Sequence, residues 1–108
     1  MRFQFEIRDN QLNYWKGIGL SPTETIDIRS TQTITDNSWH HVAVTRSEQG
    51  VVKLYIDGEQ DREGIDNNSF INYNTSIGAR TQTNSGHFDG DIDDVRIWDI
   101  ERSTTDLQ

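Results

Sequence analysis

Apolar and polar residues alternate with a period of two along most of the first half of the chain, which is the spacing of half-buried β-strands. In RFQFEIR (2–8), Phe3, Phe5 and Ile7 fall on one face and Arg2, Gln4, Glu6 and Arg8 on the other. Asp9-Asn10 is turn chemistry. LNYWKGIGL (12–20) then predicts a second strand, with Leu12, Tyr14, Ile18 and Leu20 inward, and so a hairpin. Ser21-Pro22 ends it. ETIDIRS (24–30) alternates again through Ile26 and Ile28, and TQTIT (31–35) extends a threonine-rich edge. After a turn at Asp36-Asn37-Ser38, WHHVAVT (39–45) carries apolar residues on both faces, the mark of a strand buried on two sides or set at a bend.

VVKLYIDGE (51–59) holds the strongest hairpin signal, because Asp57-Gly58 supplies the positive φ angles of a tight turn. From Gln60 to Tyr73 the chain is polar and predicts a long loop with at most a short strand, anchored by Ile65, Phe70 and Ile71. TSIGAR (75–80) predicts a brief strand and TQTNSG (81–86) a turn. In HFDGDIDDVRIWD (87–99), Phe88, Gly90 and Ile92 share a face, but the next apolar residues are Val95 and Ile97. A step of three in a period of two predicts a β-bulge at Asp93-Asp94. ERSTTDLQ (101–108) predicts a turn and a beginning helix capped by Ser103 or Thr104.

Composition narrows this all-β picture. The 108 residues fit one domain, and 31% hydrophobic content with a mean hydropathy of −0.81 predicts a thin core. The net charge of −8 argues against a nucleic-acid partner, which would require clustered Lys and Arg. No apolar run reaches membrane-spanning length, so no membrane insertion is expected, and the N-terminus lacks the apolar stretch of a signal peptide. With no cysteine, the chain carries neither a disulfide framework nor a thiolate metal site.

WHHVAVT, LYIDG, IGAR and FDGDIDDVRIW, in that order, resemble the laminin-G-like, or concanavalin A-like, jelly-roll domains, a group that includes the pentraxins. The likeness runs from about Asp36 to the C-terminus and weakly back to Phe3. It implies an antiparallel two-sheet sandwich, usually extracellular or on the cell surface, that serves as a binding or adhesion module in a larger protein and has no common enzymatic activity. Residues 1–108 are then one such domain, partial at its N-terminus, because the strand of type FTIEFWVK that usually comes first is not there. Phe3 to Ile7 could be a reduced version of it; either the chain is an excised fragment, or the sandwich is completed by self-association through an open sheet edge, as a homo-oligomer. The resemblance also implies that Trp39 and Trp98 are core, and Tyr55 is expected beside them.

Candidate chemistry is sparse. His40 and His41 point to opposite faces of a strand and cannot readily chelate one ion together, so they are expected to be wall residues. With Phe88, Gly90 and Ile92 inward, Asp89, Asp91 and Asp93 line up outward. Some relatives bind calcium at the sandwich rim, and three aligned carboxylates offer the hard oxygens calcium takes. The alternative is a solvated acidic strand paired with Lys53, Arg80 or Arg96. An enzyme reading uses the same acids, since glucanases of this fold carry an E-x-D-x-E strand. Here the strand reads D-x-D-x-D, and so small a domain has few loops with which to build a cleft around carboxyl groups about 5 Å apart. No catalysis is expected. For a glycan or protein partner, Tyr14, Trp15, Asn68 and Tyr73 are the candidate contacts, as amphipathic aromatics and amides near Asn-rich loops. A spacer that binds nothing and only self-associates is the competing class. Asn67-Asn68-Ser69 and Asn74-Thr75-Ser76 are glycosylation sequons that matter only in a secreting eukaryote.

Overall fold

The structure, a computed structural model, describes residues 2–17, 25–34, 37–68, 88 and 90–97. The chain forms two compact units, 1–69 with 100–108, and 70–99. All six strands of the described residues lie in the first: β1 (Arg2–Arg8), β2 (Gln11–Gly17), β3 (Thr25–Thr33), β4 (Val42–Arg46), β5 (Val51–Ile56) and β6 (Glu59–Ile65).

They make two antiparallel sheets, β1-β2-β3 and β4-β5-β6. Each contains a tight hairpin whose two central residues have positive φ: Asp9 (52°) and Asn10 (67°) join β1 to β2, and Asp57 (54°) and Gly58 (82°) join β5 to β6. Such turns match the right-handed twist of the strands they connect, and Asp, Asn and Gly tolerate them best.

Alternation then sets the faces. Phe3, Phe5 and Ile7 stand opposite Lys16, Tyr14 and Leu12. Leu12, Tyr14 and Ile28 of the first sheet pack with Val52, Leu54 and Ile56 of the second, with Ile7, Ile26, Ile34, Val42 and Val44 around them. This shared core makes the unit an all-β, two-sheet antiparallel sandwich. Tyr55 is buried as expected, though on the opposite face of β5 from that core.

Two irregularities break the ladders, and the first ties the two sheets together. Opposite Leu54 and Tyr55, β6 slips register at Asp61, and the freed carboxylate accepts from Thr31 twice, from its backbone N–H at 2.6 Å and from its hydroxyl at 2.8 Å. In β3 the register shifts between Gln11 and Asn13, and the Ser30 hydroxyl accepts the Leu12 N–H at 3.0 Å. Close to the Asp61 contact, Gly64 lies so near Ile28 that a Cβ there would sit 2.5 Å from Ile28 Cδ1.

Three expectations need correcting. Residues 59–65 form a full strand where a long loop with at most a short strand was predicted from Gln60 onward, because the hairpin register supplies backbone partners that the acidic sequence does not advertise. Residues 91–97 form no strand. Asp94 has φ 55° and its N–H donates to Asp93 Oδ1 at 2.8 Å, a local turn that competes with a ladder at the predicted bulge. Trp39 is 70% exposed rather than core, since the pleat begins only at Val42 and the alternation through Trp39 and His41 has no ladder to impose it. Trp98, residues 75–86 and the C-terminal turn lie outside the described residues.

Candidate functional site

Polar side chains concentrate in two places in the first unit. The first is sealed between the sheets. Strict alternation from Leu12 and Tyr14 carries Lys16 inward, and its ammonium meets the Asp66 carboxylate at 3.0 Å with both side chains 0% exposed. The Tyr14 hydroxyl donates to Asp66 Oδ2 at 2.6 Å, and the Asn68 backbone N–H to Oδ1 at 3.0 Å. Lys16 Nζ and Arg46 Nη2 both donate to the Asn68 carbonyl, at 2.9 and 3.0 Å. Burial works against the Asp66 charge, but the bonds from Tyr14, Lys16 and Asn68 outweigh it and hold this carboxyl below its ordinary range. Burial, reinforced by the adjacent carboxylate, pushes the Tyr14 phenol far up. This group joins the sheets and anchors the chain as it leaves β6. With Tyr14, Lys16 and Asp66 closed off from solvent, its charged centre offers nothing to a ligand.

The second place is the outer face of the first sheet. Register sets Glu6 opposite Asn13 and Asn13 opposite Arg29; in the next row Gln4 stands opposite Trp15 and Trp15 opposite Asp27. Asn13 Nδ2 donates to Asp27 Oδ1 at 2.6 Å and to the Ile28 carbonyl at 3.2 Å. Arg29 reaches Asp27 through Nε at 3.2 Å and Asp9 through Nη1 at 3.1 Å. Partial burial disfavours the Asp27 charge, yet the bonds from Arg29 and Asn13 prevail and lower its pKa. Trp15 is half-buried, and its six-membered ring leans over Gly17, where a Cβ would come within 3.1 Å of it. Two acceptors in this group, Glu6 Oε1 and Asn13 Oδ1, are buried without a hydrogen-bond partner. An unmet buried acceptor costs about 1–3 kcal/mol, a local penalty that the surrounding packing offsets.

The predicted site residues are distributed unevenly. Trp15 lies at the centre of this outer face. Tyr14, its neighbour, is a correction: at 2% exposure, with its hydroxyl held by Asp66, it has no ring face to give a ligand. Asn68 is exposed and fastened to Asp66, Lys16 and Arg46 rather than grouped with Trp15. Tyr73 and Asp89 lie outside the described residues. Asp91 and Asp93 are exposed, but without a strand from 91 to 97 the alternation that aligned them does not hold. Among the described residues no three His, Cys, Asp or Glu side chains are placed to share a metal ion. The histidine pair is wall material of a particular kind. His40 Nδ1 lies 2.8 Å from Asp57 Oδ2 and the His41 backbone N–H donates to Asp57 Oδ1 at 3.0 Å, so both brace the hairpin turn and lower the Asp57 pKa. Sequence reasoning missed Glu6, Asn13, Asp27 and Arg29; cross-strand register, which a sequence does not display, brings them together.

Among the described residues no helix is long and apolar enough to cross a membrane. No curated protein matches the chain. A crystal structure of an S-layer domain-containing protein from Clostridium thermocellum is similar to it, with 27% identity and a TM-score of 0.56 over 90% of this chain and 49% of that one. The present chain thus spans about half the length of that structure. A laminin-G-type family model, described as the concanavalin A-like lectin/glucanases superfamily, matches residues 2–108. With the two-sheet sandwich in place, that match over nearly the whole length establishes the family: the chain belongs to the concanavalin A-like lectin/glucanases superfamily as a laminin-G-like member.

Proposed function

We propose that this domain is a non-catalytic recognition module of a cell-surface or extracellular protein, and that it binds a glycan on the outer face of its first sheet. One observation carries the reading: Trp15 is half-buried on a sheet face that it shares with the partly exposed Asp27 and Arg29. An aromatic ring beside fixed carboxylate, amide and guanidinium groups is the chemistry by which sugars are held, apolar on one side and hydrogen-bonded on the other. Calcium stays outside this proposal, since the alternation that would align Asp91 and Asp93 is missing from residues 91–97.

The likeness to an S-layer domain-containing protein supports a second reading, a spacer within a surface assembly that binds no ligand. A glycan array probed with the labelled domain separates the two. Retention on at least one glycan class, reduced by Trp15→Ala, supports recognition. A blank array across neutral and acidic glycans contradicts it and leaves the spacer.

A further inference from the structure

We infer that this chain pairs with a second copy of itself, the outer edge of β1 at Phe5 and Ile7 in one copy joining residues 94–97 of the other, and the reverse. The inference does not depend on the glycan reading. β1 lies at the edge of its sheet, with only β2 beside it among the described residues. Facing residues of an antiparallel ladder alternate between exchanging N–H···O bonds and exchanging none. The Leu12 N–H turns away from β1, to the Ser30 hydroxyl on β3. Ile7, opposite Leu12, and Phe5, opposite Tyr14, therefore direct their own N–H and C=O groups outward. The Phe5 side chain beside them is 38% exposed.

The second unit carries the matching segment. Residues 91–97 are exposed throughout and join no ladder, and Val95 and Ile97 are 50% and 80% exposed. Set antiparallel to β1 of another copy, Ile97 falls opposite Phe5, Arg96 opposite Glu6 and Val95 opposite Ile7, with Asp94 beside Arg8. The apolar pairs coincide with the outward N–H and C=O groups of β1, and the opposite charges share the other face. Charge fixes the register: a shift of two residues sets Glu6 against Asp94 in one direction and Arg8 against Arg96 in the other. Within one copy Arg8 lies 3.8 Å from Glu6, and Arg96 bonds Asp94 at 2.9 Å. These part-exposed pairs are weak, so exchanging partners between copies costs little. Each copy carries both halves of the contact, and a two-fold arrangement forms it twice.

Sedimentation equilibrium on the whole chain, over a concentration series, is expected to show a reversible dimer. Arg96→Glu and Ile97→Asp change exposed residues outside the first unit. Each should weaken the dimer by about tenfold, the effect of losing two cross-strand pairs, and leave the circular dichroism unchanged. Glu6→Arg should weaken it as much, by setting two guanidinium groups opposite each other. A mixture of Glu6→Arg with Arg96→Glu should dimerise as well as the unsubstituted chain, because each copy then meets an opposite charge in the other. Pairing inside one chain cannot give that rescue. A monomer at every concentration would overturn the inference. So would a dimer indifferent to Arg96→Glu and Ile97→Asp, or a mixture that associates no better than its two components. Those two exposed substitutions decide the contact even where Glu6→Arg does not fold.

Discussion

Removing one partner of the Lys16–Asp66 pair leaves the other charged and sealed from water. Breaking such a pair costs about 3–5 kcal/mol, because the remaining ion loses its nearest opposite charge while the desolvation penalty stays; for Asp66 only Arg46, at 3.9 Å, would be left. Lys16→Ala should lower the urea midpoint by an amount in that range. Lys16→Met combined with Asp66→Asn should recover most of the loss, since the amide oxygen still accepts from Tyr14 and no buried charge remains. A double variant as weak as the single one would contradict the ionic explanation. Trp39 gives the opposite case. At 70% exposure it has little packing to lose, so Trp39→Ala should cost less than about 1 kcal/mol, where a core tryptophan would cost about 3–5 kcal/mol. The chain's pattern contained Lys16 and hid it. Counting by twos from Leu12 through Tyr14 puts position 16 inside, but a lysine there reads as an outward residue, and Ile18 takes its place in the inward set. The partner that makes its burial tolerable lies fifty positions away.

Elements meet across faces, and there small residues decide the fit. β6 packs beside β3 because Gly64 offers no side chain against Ile28. Gly64→Ala would drive a methyl into Ile28 and should cost about 1–3 kcal/mol, the usual range for overpacking. Ile28→Val removes the nearest atom, Cδ1, so the Gly64→Ala, Ile28→Val double variant should be more stable than the two single losses add up to. Strict additivity in denaturant unfolding would show that the strands are not in the contact described. At this scale β1 to β5 were legible in the sequence, since their apolar residues alternate against a core and their turns carry Asp, Asn and Gly. β6 was not. EQDREGI shows almost no apolar face, and its strand character comes from pairing with β5. The segment 91–97 erred in the other direction: its apolar spacing suggested a bulged strand, while the Asp93 side chain took up the Asp94 backbone N–H and turned the chain instead. The outer-face site was half legible. Trp15 could be nominated as an amphipathic aromatic, but its polar neighbours come from three strands.

For the whole molecule, charge governs how stability changes with pH. Asp27, Asp57 and Asp66 are all held below the ordinary aspartate value of 3.8 when folded. The unfolded chain therefore binds more protons as pH falls through that value, and stability present above it is lost as pH drops toward the depressed folded values. Urea midpoints should be flat near neutrality and decline below about pH 4, and Asp66→Asn should make that decline shallower. A midpoint rising in acid would reverse the sign and contradict the hydrogen bonds assigned to these carboxylates. The same excess of acids, a net charge of −8, repels polyanions from the surface. Whether the outer face of the first sheet is the recognition surface is read most directly by backbone amide shifts in an NMR titration with a glycan that the array retains. Shifts grouped on residues 4–6, 13–17 and 27–29 are predicted; shifts confined to residues 37–41 or 66–68, or none at all, would contradict it.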